Sequence, residues 1–168
     1  MVMTYELPPM RPPSEAYSLL MRVMRGCSWN KCTFCDAYKS MKFDKSSIRS
    51  VDDVKRDIET AKNIADRAKE VSWMHGYLGR INEVVRSEMA KRYGVDIAIF
   101  PWLVRDGYPK TAFLADSNAI VIKADDLAEM VEYLYQTFPS LERVTSYGRA
   151  KTVVTKSLRD LERAPQEP

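Results

Sequence analysis

The sequence contains little histidine, little cysteine and no long apolar run. No apolar segment approaches the roughly 18 residues that a helix needs to cross a bilayer, so no membrane span is expected. The start of the chain, rich in proline, also lacks the basic-then-apolar order of a signal peptide. Internal repeats and low-complexity segments are missing too. These absences together predict a cytoplasmic protein with no membrane partner.

The sequence also lacks a large excess of either positive or negative charge. The 168 residues carry a net charge of +3 and are 45% hydrophobic, which is typical of one soluble domain with a real core. Residues 1–50 hold eight basic against four acidic side chains, so the positive excess surrounds the cysteines. This excess is too small to indicate nucleic-acid binding. It is either a solvated surface or local compensation of an anionic cluster or ligand.

All three cysteines, Cys27, Cys32 and Cys35, fall within nine residues in the spacing Cys-x4-Cys-x2-Cys. An odd number of closely spaced cysteines is not typical of a disulfide framework. Because the sequence has no export signal, such cysteines indicate a metal or redox site. Thiolates suit zinc and iron–sulfur clusters. A structural zinc ion is usually bound by four protein ligands. The single histidine that could serve as the fourth, His75, lies forty residues beyond Cys35. We therefore expect a cluster, while a zinc-binding interaction domain remains a less favoured alternative.

Three cysteines leave a four-iron cluster one ligand short, because such clusters usually take four. An open metal position can accept a water or a substrate, as it does in catalytic sites generally. A non-catalytic iron–sulfur module is the alternative that this count leaves open.

The pattern of apolar and turn-forming residues predicts alternating strands and helices. Residues 1–16 form an extended leader, because four prolines remove amide donors and fix φ. Strands are predicted at 17–24, 95–100, 111–115 and 142–147. Helices are predicted at 50–70, at 82–93, from Asp125 or Asp126 to Phe138, and from Ser157 until Pro165 stops the last one. Residues 165–168 are a tail.

The alternation indicates parallel βαβ units, in which ligands bind at the carboxyl ends of the strands. Loops 26–38, 116–118 and 146–149 each follow a predicted strand. We expect them to share one face of the sheet. On position alone, Asp116 and Ser117 are candidate ligand contacts, with turn formation and helix capping as their alternative roles.

The cysteine loop resembles that of the radical S-adenosylmethionine (SAM) superfamily. The resemblance rests on the apolar strand at 17–24, on Arg25-Gly26-Cys27 and on Lys31-Cys32-Thr33-Phe34-Cys35. In that family three close cysteines after the first barrel strand bind a 4Fe–4S cluster, and SAM chelates the fourth iron. The commonest spacing is Cys-x3-Cys-x2-Cys, so this loop has one extra residue. The leader from Arg11 to Tyr17 also looks like that of uncharacterised members.

The resemblance implies a function and a set of SAM contacts. An electron from the cluster cleaves SAM to methionine and a 5′-deoxyadenosyl radical, which abstracts hydrogen from a substrate that the sequence does not identify. The electron donor would be a ferredoxin or flavodoxin. Phe34 matches the aromatic position near the SAM adenine, and Asp116 stands where a Gly-Gly-Glu-like loop grips the SAM amino group. The other implied cofactor contacts are Tyr38, Ser117, Ser146 and Arg149.

The resemblance also implies a partial, TIM-like (βα) barrel with parallel strands, in a core domain spanning 17–164. A full barrel has six such units, and the sequence shows about three before it stops. We therefore expect a truncated barrel, and a second chain that completes it is a possible partner.

Overall fold

Three short parallel strands form the sheet at the centre of the fold. The computed structural model describes residues 2–103 and 107–163, apart from the side chain of Ile97. The strands are β1 (Leu19–Arg22), β2 (Thr111–Ala115) and β3 (Arg143–Ser146), which lie in the order β1-β2-β3. Both pairings are parallel. The predicted α/β class with parallel strands is therefore confirmed, and three of the four predicted strands are present.

The described residues also form six helices. Their bounds are α1 (Val51–Met74), α2 (Glu83–Tyr93), α3 (Phe100–Leu103), α4 (Ala124–Thr137), α5 (Ala150–Val153) and α6 (Leu158–Glu162). The helices predicted at 50–70, 82–93 and 125–138 correspond to α1, α2 and α4. The predicted last helix corresponds to α6, while its stop at Pro165 and the tail 165–168 lie outside the described residues.

Side-chain caps explain where the longer helices begin. The Ser50 hydroxyl accepts a hydrogen bond from the Asp53 amide at 3.1 Å and starts α1. The Asn82 side chain accepts from the Val85 amide at 3.1 Å and starts α2. That helix ends at Gly94, whose φ of +61° is a left-handed conformation that glycine adopts at little cost. The predicted cap and terminator are thus confirmed.

Alternation along the strands divides the apolar residues between two faces of the sheet. One face belongs to the main core, which α1 and α4 close by packing against each other. The opposite face carries a small separate cluster, Leu20, Phe113 and Ala115. The main core includes Leu19, Met21, Ala112 and Leu114 from the strands, with Ile58, Ala61 and Ala65 from α1 and Met130 and Leu134 from α4.

The strand predicted at 95–100 is wrong. Residues Ile97–Ile99 form a 3-10 turn that leads directly into α3. The Asp96 side chain accepts a hydrogen bond from the Ala98 amide at 2.8 Å, which offers the backbone a local turn in place of a sheet ladder. Pro101 then falls in the first turn of α3, where its missing N–H costs nothing.

The leader is extended as predicted, except for a 3-10 turn at Pro13–Glu15. It packs against the domain at several points. The Met3 amide donates to the Tyr93 carbonyl at 2.8 Å, and Tyr5 is buried, with its hydroxyl accepting from Trp102 Nε1 at 3.2 Å. The leader is therefore part of the folded core. Within the described ranges, no helix has both the length and the apolar character needed to cross a membrane.

Candidate functional site

The three loops that follow the strands meet at one edge of the sheet. Ser117, just after β2, donates from its hydroxyl to the Gly26 carbonyl at 3.1 Å. Asn118 donates from Nδ2 to the Ser28 hydroxyl at 3.0 Å, and its Oδ1 accepts from the Arg149 amide at 2.9 Å. Because these bonds join the loops after β1, β2 and β3, the expectation that 26–38, 116–118 and 146–149 share one face is confirmed.

The cysteine loop has free, half-buried thiols and no helix or strand of its own. The Asn30 amide donates to Cys27 Sγ at 3.4 Å, and the Cys35 amide donates to the Cys32 carbonyl at 3.4 Å. Across the part of the chain that the structure describes, no three histidine, cysteine or acidic side chains converge as a ready ligand set. The three thiols thus lie on one loop without being drawn together.

Cys27 occupies the best-defined environment of the three cysteines. Burial is the largest influence on its thiol and opposes ionisation, but the nearby Ser117 hydroxyl and the Asn30 and Trp29 amides outweigh it. Together with the positive charge of Arg149, they lower the pKa of Cys27 below its ordinary value of 9.0. Groups from the cysteine loop and from the loops after β2 and β3 therefore together ease ionisation of the Cys27 thiol.

Asp116 lies beneath the cysteine loop and is fully buried. Its Oδ2 accepts from Arg22 Nε at 3.0 Å and from the Gly26 amide at 3.3 Å. Its Oδ1 is buried without a hydrogen-bond partner among the described residues. Burial raises the pKa of Asp116, although the Arg22 charge opposes it. The carboxylate therefore fixes the glycine before Cys27, and the Tyr38 hydroxyl lies close enough to the carboxylate for each group to shift the pKa of the other.

Asn118 is a site residue that the candidate set from the sequence missed. It is 1% exposed, and Nδ2 donates both to the Ser28 hydroxyl and to the Thr152 hydroxyl, each at 3.0 Å. With the Arg149 amide on Oδ1, one side chain ties the cysteine loop to the start of α5. The polar trio after β2 was visible in the sequence, but its three distant partners were not.

The two aromatic candidates differ sharply in exposure. Phe34, between Cys32 and Cys35, is 88% exposed, whereas Tyr38 is buried. Burial, followed by the negative charge of Asp116, raises the pKa of Tyr38. The Tyr38 carbonyl accepts from Asn30 Nδ2 at 2.8 Å and so closes the cysteine loop. The Phe34 ring is thus exposed for contact with a ligand, while Tyr38 is buried and stabilises the conformation of the cysteine loop.

The candidates on β3 and after it also divide into two roles. The Ser146 hydroxyl donates to the Leu114 carbonyl at 3.0 Å and supports the sheet. The Arg149 guanidinium stacks 4.1 Å from the ring centre of Trp29, which belongs to the cysteine loop. Lys31 Nζ lies 5.3 Å from the same ring centre. Two positive side chains, Lys31 and Arg149, therefore lie over the ring of Trp29 in the cysteine loop.

A further charged group lies just outside the sheet edge. This group consists of the carboxylate of Glu6 and three arginines around it, Arg22, Arg25 and Arg49. Arg25 donates to both carboxylate oxygens of Glu6, from Nε at 2.7 Å and from Nη2 at 2.6 Å, and Arg22 donates from Nη1 at 3.1 Å. Arg49 Nε lies 3.4 Å from Glu6 Oε2. Hydrogen bonding by Arg25 is the main reason that the pKa of Glu6 lies below 4.5.

The lowered pKa of Glu6 predicts a dependence of stability on pH. The ionised carboxylate stabilises the folded chain at pH values above about 4.5, and this contribution is lost as the pH falls and Glu6 takes up a proton. We expect Glu6→Gln to lower the free energy of unfolding at pH 7 by about 1 kcal/mol, because the pair is partly exposed.

The measurement is urea denaturation of the wild type and of Glu6→Gln at several pH values. The difference in free energy of unfolding should shrink between pH 4.5 and pH 3, because protonated glutamic acid resembles glutamine. Glu83→Gln, which removes an exposed i,i+3 pair with Arg86, serves as the control and should have a smaller effect at pH 7. A difference that grew on acidification would contradict the assignment.

Comparison with known proteins finds no relative. No protein-family model, no curated protein and no solved structure matches this chain.

Proposed function

We propose that this chain is a radical SAM protein in which Cys27, Cys32 and Cys35 hold a 4Fe–4S cluster. One observation carries the proposal. The three free thiols lie on a single loop that directly follows the first of three parallel strands, at the edge where the loops after all three strands meet. That edge is where parallel sheets bind ligands.

The donor set fits such a cluster. The thiols are half-buried, unpaired and carried by a loop without regular structure, which can close on a metal centre as it binds. Hydrogen bonds and the charge of Arg149 lower the pKa of Cys27, which eases formation of the thiolate, the form that binds metal. Once bound, the cluster would supply the electron for reductive SAM cleavage.

The chain's own residues provide partners for the polar groups of SAM. Asp116, whose carboxylate is buried beside Tyr38 beneath the cysteine loop, is an acceptor suited to an ammonium group. Arg149 has a fork of donors that matches a carboxylate. Phe34 offers an exposed ring next to Cys35 for an adenine base. Ser117, Tyr38 and Ser146 hold the loops that carry these groups.

The proposal extends to the architecture. Three parallel strands with α1 and α4 packed against one face fit the first units of a (βα) barrel. Among the described residues β3 is the last strand of the sheet, and its outer edge is where a further strand, or a second chain, would pair. Free cysteines suit a reducing, cytoplasmic setting, where a ferredoxin or flavodoxin could supply electrons to the cluster.

The test is anaerobic reconstitution followed by measurement of iron and acid-labile sulfide per chain. We expect about four of each. The reduced protein should give an electron paramagnetic resonance (EPR) spectrum that shifts when SAM is added. A full cluster whose spectrum ignores SAM would indicate a non-catalytic iron–sulfur module. Zinc without sulfide would overturn the proposal.

A further inference from the structure

A basic cavity opens beside the cysteine loop. Its volume is about 410 Å³, and its lining contains three positive side chains and no acidic one. The lining residues are Arg22, Arg25, Met41, Lys42, Ser46 and Ser47. Guanidinium, ammonium and hydroxyl groups all donate hydrogen bonds, so this lining suits a small anion.

The cavity is directly connected to the loop that carries the thiols. Arg25 stands two residues before Cys27. Met41 packs against Gly26, where an added Cβ would lie only 3.3 Å from the methionine Cβ. The Met41 carbonyl accepts from Asn30 Nδ2 at 3.2 Å, inside the cysteine loop. A group bound in the cavity would therefore lie next to the proposed cluster.

Two donors of the cavity are still available. Lys42 Nζ makes no hydrogen bond or close ion pair with the residues that the structure describes, although the charge of Asp44 is near enough to interact with it. Arg25 uses Nε and Nη2 on Glu6, and its Nη1 has no hydrogen bond in the described part of the chain. Its side chain is 48% exposed.

Glu6 shows how an oxyanion is bound here. Its carboxylate receives three hydrogen bonds, two from Arg25 and one from Arg22, both of which line the cavity. Glu6 belongs to the leader and not to the cavity lining, so it neutralises the arginines from outside. A second oxyanion, inside the cavity, would share these arginines with Glu6 and gain Lys42.

We infer that this cavity binds the carboxylate or phosphate group of a small-molecule substrate and so positions the rest of that molecule towards the cysteine loop. The inference rests on the proposed function, since it names the substrate class of the same site. Arg25 supplies the arginine donor through Nη1, and Lys42 supplies a point charge. Arg22 donates to Asp116 and Glu6, so it contributes its positive charge to the lining.

The experiment is calorimetric titration of reconstituted protein with inorganic phosphate and, separately, with succinate, at saturating SAM. We expect saturable binding of at least one of them, and the stronger of the two identifies the anionic group. Lys42→Met should weaken binding about tenfold, because it removes a charged donor. The matched control is Lys45→Met, which removes the same charge from a residue outside the lining.

Glu6→Gln changes binding in the opposite direction. It removes the carboxylate that competes for Arg22 and Arg25, so we expect phosphate or succinate to bind more tightly. A misfolded variant would not bind the anion more tightly. Tighter binding by Glu6→Gln therefore shows that the cavity binds the anion, even if Lys42→Met weakens binding by misfolding. Equal weakening by Lys42→Met and Lys45→Met would overturn the inference.

The titration also separates failure of the inference from failure of the proposed function. No saturable binding by protein with a full cluster and a SAM-shifted EPR spectrum overturns the inference alone. A second titration is made without SAM, and phosphate binding that is present there but lost at saturating SAM overturns the inference too, because the cavity would then hold the SAM carboxylate. Absence of a cluster overturns the proposed function, and with it the assignment of the cavity to a radical substrate.

Discussion

Replacing Cys32 with alanine is expected to reduce bound iron and sulfide from about four each per chain to well below one. The chain has three cysteines, so the variant keeps only two thiolates for a four-iron cluster. Cys32 lies on a half-buried loop and outside the apolar core. The measurement is iron and sulfide content after anaerobic reconstitution, with the EPR spectrum of the reduced protein as a second readout.

The matched control is Thr33→Ala, which changes the neighbouring exposed side chain and leaves all three thiols in place. This control should bind iron and sulfide as the wild type does. Thermal unfolding of the cluster-free proteins checks that Cys32→Ala is still folded, since a half-buried side chain contributes little to the core. If Cys32→Ala kept its iron and sulfide, or if Thr33→Ala lost them as well, the cluster assignment would be wrong.

Long periodic segments were predictable from the sequence because their signals are local. The stripe that contains Val54, Ile58 and Ala65 predicts α1, and all three residues are buried. The predicted helix nevertheless stopped at residue 70, while α1 continues to Met74. Val71 is fully buried, so core packing extends the helix beyond the predicted end.

Short apolar runs were less informative. The run at 95–100 suits a buried strand as well as a helical turn, and periodicity alone cannot separate the two. The local bond from the Ala98 amide to the Asp96 side chain favours the turn.

The location of the candidate site was predictable from the sequence, but the hydrogen bonds and ion pairs within it were not. Strand ends and alternation were enough to bring loops 26–38, 116–118 and 146–149 together. Partners at that edge, such as Asn118 and Ser28, and partners just outside it, such as Glu6 and Arg49, are distant in sequence. No local pattern in the sequence encodes such pairs, so the roles of Glu6 and Asn118 emerged only from the fold.

Asn118→Ala is therefore expected to be strongly destabilising for a single polar residue. It removes three hydrogen bonds, those to the Ser28 and Thr152 hydroxyls and to the Arg149 amide. At about 1 kcal/mol for each bond, the free energy of unfolding should fall by about 3 kcal/mol. Urea denaturation of the cluster-free protein measures this loss.

Two variants show which bonds matter to the cysteine loop. Ser28→Ala removes only the bond between the cysteine loop and Asn118, so it should cost about 1 kcal/mol. Asn118→Asp keeps an acceptor for the Arg149 amide but loses the amide donor, and it should fall between the other two. If Asn118→Ala cost no more than Ser28→Ala, the Thr152 and Arg149 bonds would contribute nothing, and Asn118 would not join the loops after the three strands.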